Sequence, residues 1–108
     1  MSLVKSTRVL QLDNGREPFT DWLESLGLKA QARVSAYIDR VAAGGGRKNI
    51  KPLGDGVFEI KIDLGPGYRV YFGEDGRTVI LLLVGGDKRT QAKDIETAKL
   101  YWRQYEAK

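Results

Sequence analysis

The sequence predicts an α+β fold in the order strand, helix, helix, three strands, helix, and three observations carry that reading. Apolar residues recur at helical spacing before the glycine run Gly44-Gly45-Gly46, the period drops to two after it, and helical spacing returns beyond Thr90. A chain of 108 residues with 42% apolar side chains has material for one modest core, so a single domain over residues 1–108 is expected.

The elements follow in order. Leu3 to Leu12, closed by Asp13-Asn14-Gly15, reads as a strand ending in a turn. Phe19, Trp22, Leu23 and Leu26 then repeat at helical spacing; Pro18 suits a first helical turn, where a missing N–H costs nothing, and Gly27 suits a stop. Ala30, Val34, Tyr37, Ile38 and Val41 make a second apolar stripe, so two amphipathic helices joined by a tight turn are expected. Gly44-Gly45-Gly46 and the following Arg47-Lys48-Asn49 read as a loop.

Beyond the loop Phe58, Ile60, Ile62 and Leu64 alternate with Val57, Glu59, Lys61 and Asp63, the pattern of a strand with one buried face. Gly65-Pro66-Gly67 reverses the chain into Tyr68, Arg69, Val70, Tyr71 and Phe72, giving an antiparallel hairpin. A turn at Gly73 to Gly76 leads into Thr78 to Val84. The run Val79 to Val84 does not alternate, which suggests an interior strand covered on both faces, one of them by a partner chain. Thr90 suits an N-cap, and Ile95, Ala98, Trp102 and Tyr105 mark a closing helix.

The chain has neither cysteine nor histidine, which removes disulfides, thiolate nucleophiles, the commonest zinc ligand and the usual general base. Any chemistry runs on Lys, Arg, Asp, Glu, Tyr, Ser or Thr. Met1 to Leu12 carries Lys5 and Arg8, and the longest apolar run is Val79 to Val84, so neither a signal peptide nor a membrane span fits and the cytoplasm is the default compartment. Eighteen basic against 14 acidic residues leave a net charge of +4, which favours an anionic partner.

Strand parity places Glu59, Lys61, Asp63, Arg69 and Tyr71 on the face opposite Phe58, Ile60 and Ile62. A register with Asp63 opposite Arg69 and Lys61 opposite Tyr71 satisfies that parity. Two physical readings fit the face. Arg69 and Lys61 neutralise RNA phosphates while Tyr71 stacks on a base; or Arg69 pairs with Asp63 on a solvated strand, worth about 0–1 kcal/mol. The loop Gly85-Gly86-Asp87-Lys88-Arg89-Thr90 likewise reads either as a phosphate cradle or as a turn in which Asp87 or Thr90 caps the helix. Arg47, Lys48 and Lys51 form a third basic cluster, in reach of a second RNA strand or of ribosomal RNA.

The stretches Gly54 to Asp63, Gly65-Pro66-Gly67-Tyr68-Arg69-Val70-Tyr71-Phe72 and Leu82 to Gln91, with Gly85-Gly86-Asp87-Lys88-Arg89-Thr90-Gln91 the more specific part of the last, resemble the RelE/ParE toxin superfamily. Within it they are most similar to the phage-derived Gp49-like or HigB-type branch, the addiction module killer proteins. The resemblance implies a sheet of about four mainly antiparallel strands with helices packed against it. It also implies cleavage of messenger RNA in the ribosomal A site, by attack of a ribose 2′-hydroxyl on the adjacent phosphate, with the protein supplying charge and orientation.

On that resemblance Arg69 matches the arginine after the glycine-tyrosine turn and stabilises the pentacoordinate phosphate. Lys61 matches a basic residue of the preceding strand and supplies a second charge or a proton. Lys88 or Arg89 matches the basic position after the last strand, and the two hold the RNA backbone. A second strand lysine of RelE-like enzymes falls near Glu59, and the tyrosine of their last helix falls near Ile95, which cannot replace it; the identity of the general base and acid stays open, with Glu59 a candidate for the base. Such a mechanism requires no metal or cofactor, and none is expected. The implied partners are the ribosome, messenger RNA and a small antitoxin with a helix-turn-helix DNA-binding fold; no membrane is involved. Two other functions share the fold: a non-enzymatic, ParE-like inhibitor of DNA gyrase, and an accessory binding module without toxicity.

Overall fold

The computed structural model describes residues 4–77 and 79–108. Leu3 and Thr78, which the sequence places at the starts of strands, lie outside the described residues. The elements are β1 (Ser6–Val9), α1 (Pro18–Glu24), α2 (Leu28–Ala42), β2 (Ile50–Gly54), β3 (Val57–Ile62), β4 (Tyr68–Asp75), β5 (Val79–Gly86) and α3 (Gln91–Glu106). Short 3-10 turns at Arg47–Asn49 and Lys88–Thr90 precede β2 and α3.

The α+β class and the expected element order hold, with one strand added. The five strands form one sheet in the order β1-β5-β4-β3-β2, and β1 runs parallel to β5 while the other pairs are antiparallel. The addition is β2, within a segment that carries Pro52 and lacks alternation. It sits at the sheet edge, where a proline costs no ladder bond. Its hairpin to β3 is closed by Asp55 with a φ of 58°, between two glycines that are also left-handed.

Both faces of the sheet are covered. On one, Phe19 of α1 and Val34, Ile38 and Val41 of α2 pack against Ile60, Ile62, Val70, Phe72, Ile80 and Leu82. On the other, Ala98 and Trp102 of α3 pack against Val57, Tyr71, Leu81, Leu83 and Val84. The missing alternation of Val79 to Val84 follows from this. A bulge puts Tyr71 opposite Val84 and Phe72 opposite Leu82, so Leu83 is extra, and Leu83 and Val84 both join the α3 side. The second face of this strand is therefore covered by the chain's own α3, not by a partner chain as the pattern suggests.

The α3 layer approaches closely because glycine lies beneath it. Trp102 occupies the space that a Cβ on Gly73 would take. Among the described residues no helix is long and apolar enough to cross a membrane.

Candidate functional site

The expected face parity holds, since Glu59, Lys61, Arg69 and Tyr71 share one side of the sheet. The register does not. The connection between β3 and β4 takes up residues 63–67, so Lys61 lies opposite Arg69 and Glu59 opposite Tyr71, two residues from the expected pairing. A two-residue slip preserves which face each side chain occupies and changes only its neighbours. Extended through the sheet, one row runs Lys61, Arg69, Gly86 and the next runs Lys51, Glu59, Tyr71, Val84.

This face is not an open polar patch. The first turns of α3 cover it, leaving Glu59 3%, Arg69 6% and Tyr71 0% exposed. Arg69 pairs with Glu59 and not with Asp63: its Nε lies 3.7 Å from Glu59 Oε1, while Asp63 pairs loosely with the exposed Lys61 at 3.9 Å. Arg69 Nη1 donates to the carbonyls of Gly67 at 3.0 Å and Tyr68 at 3.5 Å, and Nη2 stands outside both bonds. Gln91 Nε2 donates to Glu59 Oε2 at 2.9 Å, tying the start of α3 to the buried pair.

Among the described residues, two buried side-chain polar atoms, Arg69 Nε and the Tyr71 hydroxyl, lack a hydrogen bond. Burial, helped by the nearby charges of Glu59 and Asp94, pushes the Tyr71 phenol well above its ordinary ionisation range. Tyr71 is a fully buried residue of the core on the α3 side, so its ring is closed to the base stacking expected of an exposed tyrosine.

The loop from Gly85 to Thr90 follows the capping alternative. Asp87 Oδ1 accepts the Arg89 backbone N–H at 2.8 Å, Asp87 N–H donates to Thr90 Oγ1 at 3.3 Å, and Arg89 Nη2 reaches Asp87 Oδ2 at 3.2 Å. The Arg89 bonds hold the Asp87 carboxyl below its usual range. Thr90 does not itself cap α3; its hydroxyl donates to Asp94 one turn on.

Exposed cations rim the buried pair. Lys88 lies close to the Gly67 turn, its Cβ 3.7 Å from where a Cβ on Gly67 would stand, and Arg69 Nη1 is 3.3 Å from that same point. Lys61 is 57% exposed at the side chain. The turn that carries Arg47 and Lys48 docks on the end of β3 through Asn49 Nδ2, which donates to the Lys61 carbonyl at 3.1 Å. Lys51 is exposed on edge strand β2, across from Glu59. Lys51, Lys61, Arg69 and Lys88 thus gather at one end of the sheet, with Arg47 and Lys48 beside them and the exposed Arg89 side chain paired at the surface with Asp87.

Sequence reasoning missed Gln91 and Asp94, which α3 brings over this row. Asp94 Oδ2 fills the space a side chain on Gly86 would need. Burial raises the Asp94 carboxyl pKa, and the Asp87 charge adds to the effect, against the Thr90 hydrogen bond and the Lys93 charge. The available signal was the four-residue spacing of Thr90 and Asp94 at a helix start, together with a glycine opposite Arg69.

A mixed sheet with helices on both faces and a cationic end built from β3, β4 and the loop after β5 defines a small α+β protein compatible with the RelE-like fold. The chain belongs to the phage-derived Gp49-like family, whose model, described as "Phage derived protein Gp49-like", matches residues 21–103. This is the HigB-type, RelE-like family of addiction module toxins that the sequence resembles, and it implies an antitoxin partner in general terms. A relative in Haemophilus influenzae, described as "Uncharacterized protein", is 47% identical over 83 residues, which is 76% of this chain and 83% of that protein.

Proposed function

We propose that this protein is the toxin of a type II toxin–antitoxin pair, a cytoplasmic endoribonuclease that cuts messenger RNA on the ribosome and so stops translation. The observation that carries the reading is the row Lys61–Arg69, joined by Lys88 at the same end of the sheet, in a chain of the Gp49-like family. Three cations around one point neutralise a phosphate and the charge that develops on it as a neighbouring 2′-hydroxyl attacks.

Arg69 binds the scissile phosphate through Nη2, the nitrogen outside its carbonyl bonds, and Lys61 supplies the second charge. Lys88 and Arg89 hold the flanking backbone, while Arg47, Lys48 and Lys51 bind a second strand or ribosomal RNA. Glu59 was the sequence candidate for a base. With one oxygen on Gln91 and the other beside Arg69, it instead positions the guanidinium. The partner is a small helix-turn-helix antitoxin that covers the cationic end.

One observation favours a second reading, a non-enzymatic gyrase inhibitor: Arg69 is 6% exposed and tied into the fold. In vitro translation with toeprinting, run beside a gyrase cleavage assay, separates the two. The expected result is message cut within the A-site codon and no trapped gyrase complex. Intact message with trapped gyrase supports the second reading, and inactivity in both assays leaves an accessory binding module.

A further inference from the structure

The row that centres on Arg69 is completed on its far side by a residue of the helix. Lys61 stands opposite Arg69 on β3, and Gly86 stands opposite it on β5. Gly86 has no side chain, and Asp94 Oδ2 takes that space, with Thr90 Oγ1 donating to it. Directly opposite positions in a sheet have Cβ atoms about 4.5–5.5 Å apart. A phosphate held on Arg69 therefore has an ammonium on one side and a carboxylate on the other. Displacement at phosphorus requires this arrangement, because the attacking and leaving oxygens lie on opposite sides of it.

We propose that Asp94 is the general base of the site, taking the proton of the attacking 2′-hydroxyl. The inference rests on the endoribonuclease reading. The Asp94 carboxylate accepts the proton, and the electron pair left on O2′ forms the O2′–P bond. The P–O5′ bond breaks with its electron pair going to O5′, which takes a proton from the Lys61 ammonium. The products are a 2′,3′-cyclic phosphate and a 5′-hydroxyl; Lys61 regains its proton from water and Asp94 releases one to it.

Asp94 suits this work better than Glu59. It is only partly buried, it makes no ion pair with Arg69, and its raised pKa brings it nearer the working pH. Its ionisation is set by burial, by Thr90 through the hydrogen bond, by Asp87 before the helix and by Lys93 beside it, while Tyr71 on β4, with Glu59 and Arg69 next to that ring, faces it from the sheet.

The test is single-turnover cleavage of message on programmed ribosomes across a range of pH, with wild type, Asp94→Asn and Thr90→Val. Asp94→Asn keeps the shape and the Thr90 hydrogen bond, and the expected loss is about 10²- to 10⁴-fold in rate, with melting and ribosome binding retained. Thr90→Val removes a bond that favours the carboxylate, so the acid limb of the rate profile moves to higher pH; a purely structural role for Asp94 leaves the limb in place. If Asp94→Asn does not fold, the limb in Thr90→Val decides alone. Cleavage by Asp94→Asn at the wild-type rate, or an unmoved limb in Thr90→Val, overturns the proposal while the endoribonuclease reading stands. Absence of cleavage by the wild type removes both.

Discussion

On the proposed function, structure and chemistry compete for the Arg69 guanidinium. Its Nε faces Glu59 in a place with almost no solvent, so removing the arginine strands a buried carboxylate. Arg69→Ala is therefore expected to lose about 3–5 kcal/mol of stability, against the 0–1 kcal/mol of an exposed strand pair. Adding Glu59→Gln to Arg69→Ala should restore much of it, and urea denaturation of the two variants reads the difference. If Arg69→Ala melts with the wild type, Arg69 and Glu59 do not form a buried pair in solution. Tyr71 leads to the opposite expectation. Its hydroxyl is buried without a partner, so Tyr71→Phe should be neutral or stabilising. The folded state keeps the Tyr71 proton to higher pH than the unfolded chain, whose phenol ionises near the ordinary value of 10.0, so stability falls as pH rises above that value and Phe should flatten the fall. Thermal melts of both proteins across alkaline pH check this; a clear destabilisation by Phe at neutral pH would mean that the hydroxyl has a partner after all. At this scale the sequence showed which residues share a face, because a strand has period two, but it could not show their cover. Nothing in Glu59, Arg69 or Tyr71 alone reports that a helix far along the chain lies over them.

Among the elements, α3 sets the character of the site, since it converts a polar strand face into a buried ion pair and adds Gln91 and Asp94. Its seat depends on the absence of a side chain at Gly73, where Trp102 lies. Gly73→Ala should lift the helix and cost about 1–3 kcal/mol, the usual range for overpacking. Denaturant titration followed by tryptophan fluorescence measures it, and an unchanged midpoint would show that the layer gives way freely. The helices were legible because their apolar stripes are long and bounded by Pro18 and Gly27. The β3–β4 hairpin was legible from its alternation. Strand β2 was not, because an edge strand with Pro52 needs no alternating pattern. The bulge at Leu83 was hidden for another reason: in a run of aliphatic residues, one extra residue leaves no mark on hydropathy.

For the whole molecule, the proposed function makes association of the cationic end of the sheet with an RNA surface an electrostatic event. Each phosphate neutralised releases condensed counterions, so ribosome binding should weaken steeply between low and physiological salt. Binding measured by sedimentation over a salt series tests this, and a flat dependence would point to an apolar protein interface instead. An antitoxin that covers the same end should abolish cleavage in a saturated complex. The most direct test uses two of the exposed cations, because Lys61 and Lys88 can be removed without stranding a buried charge. Cleavage of message on programmed ribosomes is compared for wild type and the double variant Lys61→Ala/Lys88→Ala, with melting curves for both. The expected result is A-site cleavage by the wild type and a loss of orders of magnitude in the variant at unchanged melting temperature. Intact message with the wild type, or equal cleavage by the variant, contradicts the assignment of this end of the sheet as the site that cuts RNA.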